Sequence, residues 1–389
     1  MAASKVDDTP FPVTGYVSPD LFCDREEEVD IITSTLKHGR HLMLYSPRRY
    51  GKTGLIHHAF RTLAKVRGSR TVFADIYAAR NAHDFNQILL NAVHQALNPT
   101  AKLFMKNVMA WFASLRPVVH VDDLTGQPSI ALEPGTPKQE AATTREIFRI
   151  LNEQGRTIFL AIDEFQEINR FKDARLDALL RTELQNSPNV HCIFSGSQRH
   201  MLLDLFIDAK APFYASADQL HLGPIARRTY ADFAVRKMKE RKRTFPMDDA
   251  LFCYDLCQGH TYYVQTLYNR LYAEPGPLGR AAVIRVVQAV IRSQDAMMAT
   301  FRSALTKHQW DLLAAVCREG KVLEPTAGAF IKKYDLATSA TLVHALRALM
   351  DRELIYISAH DEESGKPIYV PYNPFMALWF KYRRSPQLA

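Results

Sequence analysis

Short apolar runs alternate with amphipathic stretches over the first 225 residues of the chain. The runs have the length of strands, and the stretches between them place apolar residues at helical spacing. The pattern predicts strands over 41–45, 71–76, 158–162, 190–194 and 219–222, with helices over 21–37, 55–66, 84–97 and 176–185. Because strands that alternate with helices are typical of a mainly parallel sheet covered on both faces, we expect an α/β sheet domain.

Residues 98–140 interrupt this alternation with five prolines. We predict a helix over 103–115 and then a hairpin with strands at 118–121 and 129–132. Thr143 and Glu146 fit a capping box at the start of a helix that ends at Gly155. Residues 98–140 are therefore expected to form an insertion in the sheet domain.

The strand pattern disappears past Pro224. Helical spacing predicts an all-helical block with helices over 229–240, 248–258, 262–272 and 280–291. Three more helices, over 307–318, 326–334 and 339–352, precede two short strands, an order typical of a winged helix. The predicted organisation is a leader at 1–20, a sheet domain at 21–225, a helical lid at 226–298 and a winged helix at 299–389.

Composition restricts the class of protein. Of the 389 residues, 47% are hydrophobic and 23% are charged, which is ordinary for a folded globular chain. The length fits about two to three domains. The formal net charge of +8 permits an anionic partner without identifying one.

Membrane-spanning and disulfide-rich classes do not fit the sequence. No apolar run reaches the length of about 18 residues that a transmembrane helix needs. The first 12 residues are polar and include Asp7 and Asp8, unlike a signal or transit peptide. Five cysteines without a CxxC pair indicate reduced thiols, and Cys253 and Cys257 fit packing better than zinc ligation. We therefore expect a cytoplasmic protein that does not associate with membranes.

The strongest chemical signal lies between the first predicted strand and the next helix. Residues 46–53 read Ser-Pro-Arg-Arg-Tyr-Gly-Lys-Thr and match a phosphate-binding P-loop, with Ser46 in place of its first glycine. We expect Lys52 to reach the β- and γ-phosphates of ATP and the Thr53 hydroxyl to bind Mg²⁺. The residues expected to contact the nucleotide here are Pro47, Arg48, Arg49, Tyr50, Gly51, Lys52, Thr53 and Gly54.

A Walker B pattern strengthens this prediction. The apolar stretch 159–162 ends in Asp163 and Glu164. We expect Asp163 to orient Mg²⁺ and Glu164 to polarise the attacking water, which favours hydrolysis over binding alone. The alternative is that Asp163 only caps the helix that follows.

A third polar group follows strand 190–194. Ser195 or Ser197 is a candidate for contact with the γ-phosphate, because this strand is expected between the P-loop and Walker B strands. An ordinary Ser-Gly-Ser turn is equally compatible with the pattern.

These motifs together resemble a known family. Residues 22–28 and 45–53 are similar to the F-x-x-R-E-x-E and G-P-R-R-x-G-K-T-S motifs of archaeal and bacterial ATPases in the STAND-like branch of the AAA+ class. Residues 162–164, 195–197, 211–214 and 259–263 resemble further motifs of that family, the last being its sensor-2 region. The resemblance covers about residues 20–290. It implies an AAA+-like parallel sheet sandwiched by helices, a helical lid and a winged helix, and it implies that His260 contacts the nucleotide.

Several positions depart from the family motifs. Ser46 replaces glycine, Gly54 replaces serine, Ala215-Ser216 stands for Gly-Arg, and Thr261 stands for proline. Without an arginine at Ser216, the sequence identifies no arginine finger, and Arg199 fits a solvated surface position better.

The densest basic segment is 227–243, which is compatible with contacts to DNA phosphates. The pattern favours the alternative, the solvated face of a lid helix. The predicted recognition helix, 339–352, is poor in the residue types that read base edges. It therefore fits a regulatory or protein-contact module better than a sequence reader.

The combined prediction is a slow, regulatory ATPase that uses ATP and Mg²⁺. Its nucleotide state would set the orientation of lid and winged helix for a protein partner or for self-assembly. The alternative is an ATPase that loads onto DNA through its basic lid or winged helix, similar to origin-initiator or transposition-regulator proteins. A degenerate nucleotide-binding scaffold is the third alternative.

Overall fold

The computed structural model describes residues 9–97, 118–121, 128–171, 175–197 and 199–383, with the backbone alone at 118–121, 128–131, 199 and 200. The chain divides into two compact units. The sheet unit is Gly15–Gly223, and the helical unit combines the residues up to Thr14 with those from Pro224 onward. The predicted helix at 103–115 lies outside the described residues.

The strands of the sheet unit are β1 (Leu42–Tyr45), β2 (Ser69–Asp75), β3 (Val118–Val121), β4 (Pro128–Ala131), β5 (Thr157–Asp163), β6 (Val190–Gly196) and β7 (Asp218–His221). Five of them form a parallel sheet in the order β2-β5-β6-β1-β7. Strand β6 thus lies between β1 and β5, as predicted. Strands β3 and β4 form a separate antiparallel pair, which confirms the predicted hairpin.

The helices of the sheet unit are α1 (Glu26–Lys37), α2 (Lys52–Leu63), α3 (Ala82–Leu97), α4 (Pro137–Glu153), α5 (Leu176–Gln185) and α6 (Arg199–Ile207). Short 3₁₀ helices occupy Pro19–Leu21 and Phe165–Arg170. Side-chain alternation on the strands builds a core on each face of the sheet. Leu160 and Ile162 pack with helices α3 to α6, whereas Phe159 and Ala161 pack with α1 and α2. This confirms the α/β fold class.

The predicted capping box at Thr143 is wrong. Helix α4 begins earlier, because Thr136 and Gln139 form a reciprocal capping box and Pro137 occupies the first turn. Thr143 is buried within the helix, and its hydroxyl donates to the carbonyl of Gln139 at 3.0 Å.

The helical unit begins with α7 (Arg227–Glu240), α8 (Met247–Leu256), α9 (Thr261–Ala273), α10 (Arg280–Ser293) and α11 (Asp295–Ala304). Residues 9–12 pack into this unit and differ from the loose leader predicted over 1–20. Phe11 is fully buried, with its ring centroid 5.6 Å from that of Tyr268. The side-chain amide of Asn269 donates to the Phe11 carbonyl at 2.9 Å. We call residues 9–12 the N-terminal strap.

The winged helix contains α12 (Lys307–Glu319), α13 (Gly328–Tyr334), α14 (Ser339–Asp351), β8 (Ile355–His360), β9 (Pro367–Pro371) and α15 (Pro374–Tyr382). Its strands are antiparallel. Helices α11 and α15 were not predicted from the sequence, and they contribute Met298 and Met376 to the winged-helix core. In the described ranges, no helix is both long enough and apolar enough to cross a membrane.

Candidate active site

The loop between β1 and α2 turns through two residues in the left-handed region. Arg49 has φ +65°, and Gly51, the N-cap of α2, has φ +99°. Only glycine adopts the conformation at Gly51 without strain. Ser46 is not among the residues with positive φ, so serine replaces the motif glycine there at no cost in backbone strain.

Lys52 opens helix α2 and is 5% exposed. Its Nζ donates to the carbonyl oxygen of Ser46 at 3.2 Å, which holds the ammonium group against the loop. Arg48 and Arg49 are exposed and add positive charge beside it. Tyr50, by contrast, is buried in the core that α1 and α2 share. Its side chain therefore serves packing, and its contact with nucleotide, like those of Pro47 and Gly54, stays a prediction.

Asp163 links the end of β5 to the start of helix α2 and to the end of β6. It is 3% exposed and ends β5, next to β6. Its Oδ2 accepts from Thr53 Oγ1 at 2.7 Å, and its Oδ1 accepts from Ser195 Oγ at 2.5 Å. The 3₁₀ helix that follows has Glu164 as its N-cap and no side-chain capping bond. Asp163 therefore does not serve as a helix cap but holds the P-loop threonine.

Glu164 has a left-handed backbone, with φ +56°. Its Oε2 accepts from Ser197 Oγ at 2.8 Å and from Gln166 Nε2 at 2.6 Å. Ser195 thus contacts Asp163 and Ser197 contacts Glu164, so each candidate serine contacts one Walker B carboxylate. Their predicted contact with the γ-phosphate stays a prediction.

Two site residues were missed by the sequence analysis. Gln166 is one, and Asp75 at the end of β2 is the other, in register with Asp163. Burial raises the pKa of Asp75, and the nearby charges of Asp163 and Glu164 raise it further, while a backbone hydrogen bond from Tyr77 lowers it. A carboxylate that ends the strand beside β5 was the signal that could have identified Asp75.

Residues 211–216, similar to a family box, have a packing role in the sheet unit. Phe213 is 1% exposed and packs edge-on against Phe165 and Phe194. Ala215 has φ +50°, a conformation that suits the family's glycine better. The Ser216 hydroxyl donates to the Phe213 carbonyl at 2.7 Å.

The remaining two sequence candidates are His260 and Arg199. His260 belongs to the helical unit, where it is the N-cap residue of α9 and is 3% exposed. Its contact with nucleotide stays a prediction. The side chain of Arg199 lies outside the described residues.

A parallel sheet with a lysine-containing P-loop, whose threonine donates a hydrogen bond to the Walker B aspartate, defines a P-loop ATPase. The chain belongs to the family of ATPase domains predominantly from Archaea, whose model matches residues 22–267. A second family model, a probable winged helix domain, matches residues 296–382.

Solved structures share this fold over nearly the whole chain. A Walker-type ATPase of Pyrococcus abyssi is 20% identical with a TM-score of 0.63, over 96% of this chain and 99% of that chain. The ORC2 protein of Aeropyrum pernix, solved as ADPNP-ADP complexes, is 12% identical with a TM-score of 0.60, over 96% of each chain. The ORC1 protein of the same organism, in complex with DNA, is 12% identical with a TM-score of 0.53, over 95% of each chain. No curated protein sequence matches this chain.

Proposed function

We propose that this chain binds ATP with Mg²⁺ and hydrolyses it to ADP and phosphate. The observation that carries the proposal is the hydrogen bond of 2.7 Å between Thr53 and Asp163. It unites the P-loop and the Walker B strand, two motifs that the sequence separates by about a hundred residues. A hydroxyl and a carboxylate side by side are the hard oxygen ligands that Mg²⁺ prefers.

Each residue of the cluster has a role in this reaction. Lys52 and the loop N–H groups neutralise the phosphates, while Thr53 and Asp163 would hold Mg²⁺ directly or through its water ligands. Mg²⁺, when bound, supplies charge neutralisation to the phosphates. Glu164 accepts a proton from the water whose oxygen bonds to the γ-phosphorus, as the bond from that phosphorus to the ADP oxygen breaks.

Two variants test this proposal. Glu164→Gln is expected to keep nucleotide affinity but to lower phosphate release about a hundredfold, because a general base is lost. Lys52→Ala is expected to lose nucleotide binding. Glu27→Gln, at an exposed position of α1, is the matched control. Unchanged phosphate release in Glu164→Gln would reject the role of Glu164 as general base.

We further propose that nucleotide state acts as a slow, STAND-like switch that sets the orientation of lid and winged helix for a protein partner or for self-assembly. In support, the chain passes twice between the units, at Thr14–Gly15 and at Gly223–Pro224. Gly15 at the first crossing lowers the resistance of the backbone to rotation, whereas the Gly223 carbonyl at the second accepts a hydrogen bond from Arg25. Size-exclusion chromatography with and without a slowly hydrolysed ATP analogue tests for nucleotide-driven assembly.

The five buried cysteines fit reduced thiols and support the cytoplasm as the place of action.

DNA loading is the second candidate, and the likeness to an ORC1 protein solved with DNA favours it. The contacts of the basic segment, residues 227–243, support the alternative, a lid-helix face that does not bind DNA. Arg227 pairs with Asp255, and Lys237, which is 2% exposed, pairs with Glu240. A filter-binding titration over salt concentration decides between them. Absence of ATP-dependent DNA binding at low salt rejects DNA loading, and DNA-stimulated turnover with a steep salt dependence supports it.

A further inference from the structure

We propose that Gln166 is a positioning residue for hydrolysis, which holds the Glu164 carboxylate in its working orientation through one hydrogen bond. The proposal rests on the proposed function of Glu164 as general base. Gln166 lies two residues past Glu164, in the 3₁₀ helix that follows β5. The left-handed turn at Glu164 brings the two side chains together.

The two hydrogen bonds to Glu164 meet at one oxygen. Gln166 Nε2 donates to Oε2 at 2.6 Å, and Ser197 Oγ donates to the same oxygen at 2.8 Å. Two donors from different elements fix the plane of a carboxylate better than one. They leave Oε1 as the oxygen to which the attacking water can give its proton.

The amide of Gln166 has one possible orientation. Gln166 is 1% exposed, and its Oε1 is buried without a hydrogen-bond partner in the part of the chain that the structure describes. Exchanging the two ends of the amide would bring its oxygen against a carboxylate oxygen, and neither atom can donate. A buried acceptor without a donor is unfavourable. The free-energy cost of the unpaired Oε1 is tolerated here because the amide nitrogen of the same side chain donates to Glu164.

Gly196 makes room for this amide. A Cβ built at Gly196 would lie 2.1 Å from Gln166 Oε1, which is closer than atoms approach. Gly196 has no positive φ, so space and not backbone conformation requires glycine here. The Ser-Gly-Ser segment at the end of β6 thus serves the two carboxylates at all three positions: Ser195 holds Asp163, Gly196 admits Gln166, and Ser197 holds Glu164.

Two substitutions of similar size separate positioning from packing. Gln166→Met fills the same space without a donor, so we expect kcat to fall about tenfold or more while nucleotide affinity and Tm change little. Gln166→Glu donates only when protonated. Its kcat relative to the parent chain is therefore expected to rise as the pH falls from about 8 to about 6. A purely structural role predicts neither the loss in kcat alone nor this pH profile.

A double-mutant cycle tests the link to Gly196. Gly196→Ala should push the Gln166 amide aside and lower kcat about tenfold in the parent chain. In the Gln166→Ala background, the same change should have no further effect, because the obstructed atom is gone. Equal losses in both backgrounds would overturn the link.

The readouts also separate this proposal from the proposed function. If Glu164→Gln loses hydrolysis but Gln166→Met keeps the parent kcat, the positioning role is wrong and the role of Glu164 stands. If Gln166→Met loses nucleotide binding or Tm together with kcat, Gln166 is structural and the proposal is overturned. If Glu164→Gln hydrolyses ATP normally, the role of Glu164 as general base fails, and the positioning role of Gln166 fails with it.

Discussion

Arg25 Nη2 donates a hydrogen bond of 2.7 Å to the carbonyl oxygen of Gly223, the residue at which the sheet unit ends. Arg25 is 5% exposed, and its Nη1 contacts the Glu28 carboxylate at 2.7 Å. The arginine of the F-x-x-R-E-x-E motif therefore fixes the end of the sheet unit onto the start of α1. This contact gives the family motif a structural purpose distinct from nucleotide binding.

Removal of this contact is expected to destabilise the sheet unit. Arg25→Met keeps the apolar stem but leaves the Gly223 carbonyl and the Glu28 carboxylate without their donor, at an expected cost of about 2–4 kcal/mol. Denaturant unfolding followed by circular dichroism measures the change. Glu27→Ala, on the exposed face of the same helix, is the control. An unchanged unfolding midpoint in Arg25→Met would contradict this role.

The Thr53 hydroxyl is expected to couple nucleotide binding to Mg²⁺. Thr53→Val keeps the shape of the side chain but removes the oxygen beside Asp163, so affinity in the presence of Mg²⁺ should fall about tenfold. Affinity in the presence of a chelator should stay as in the parent chain. Titration with a fluorescent nucleotide measures both. Thr62→Val, exposed on the same helix, is the matched control, and an equal loss with and without Mg²⁺ argues against a metal-ligand role.

The N-terminal strap is expected to be part of the helical unit's core. Phe11 is fully buried between the rings of Phe233 and Tyr268. Phe11→Ala should therefore cost about 3–5 kcal/mol of folding free energy. Val13→Ala, at a position that is 36% exposed, should cost less than about 1 kcal/mol. Chemical denaturation of both variants provides the comparison, and equal stabilities would show that the strap adds nothing to the core.

Acid should weaken the sheet unit through His41. Burial lowers the pKa of His41 from 6.5 to about 4, with the charges of His191 and Arg181 adding to the effect. Its Nδ1 accepts from the Cys192 backbone N–H at 3.0 Å, a bond that protonation removes. Because the unfolded chain binds this proton first, stability is complete above about pH 6.5 and falls towards pH 4, by about 3 kcal/mol in total.

His41→Asn tests this prediction, since an amide oxygen can still accept from Cys192 but does not titrate. Unfolding free energies at about pH 7 and about pH 5 should differ by roughly 2 kcal/mol less in the variant. Both proteins contain the other histidines, so their contributions cancel in this comparison. Parallel pH profiles would assign the acid sensitivity to other groups.

The sheet was predictable because its signals are local. Apolar strands such as 158–162, each followed by a helical stretch, identify parallel pairing without knowledge of the partners. The P-loop and Walker B residues were predictable for a related reason: each motif carries its own chemistry within a few residues. The hydrogen bond between Thr53 and Asp163 confirms that the two motifs meet.

Contacts over long sequence distances were not predictable. Gln166 has no motif signal of its own, because its role depends on the space above Gly196. The strap was predicted to be part of a loose leader, because a single apolar residue, Phe11, in a polar segment forms no periodic pattern that would indicate burial. The start of helix α4 was predicted wrongly for a local reason. Thr136 with Gln139 and Thr143 with Glu146 both fit a capping box, and the structure forms the first.

The strap also determines the order in which this protein can fold during synthesis. The sheet unit is one continuous stretch, so it can complete its core before the rest of the chain is made. Phe11 must wait, because its partner Asn269 follows it by 258 residues. The first described residues of the chain are therefore among the last to become ordered, because the helical residues that bury them are synthesised much later.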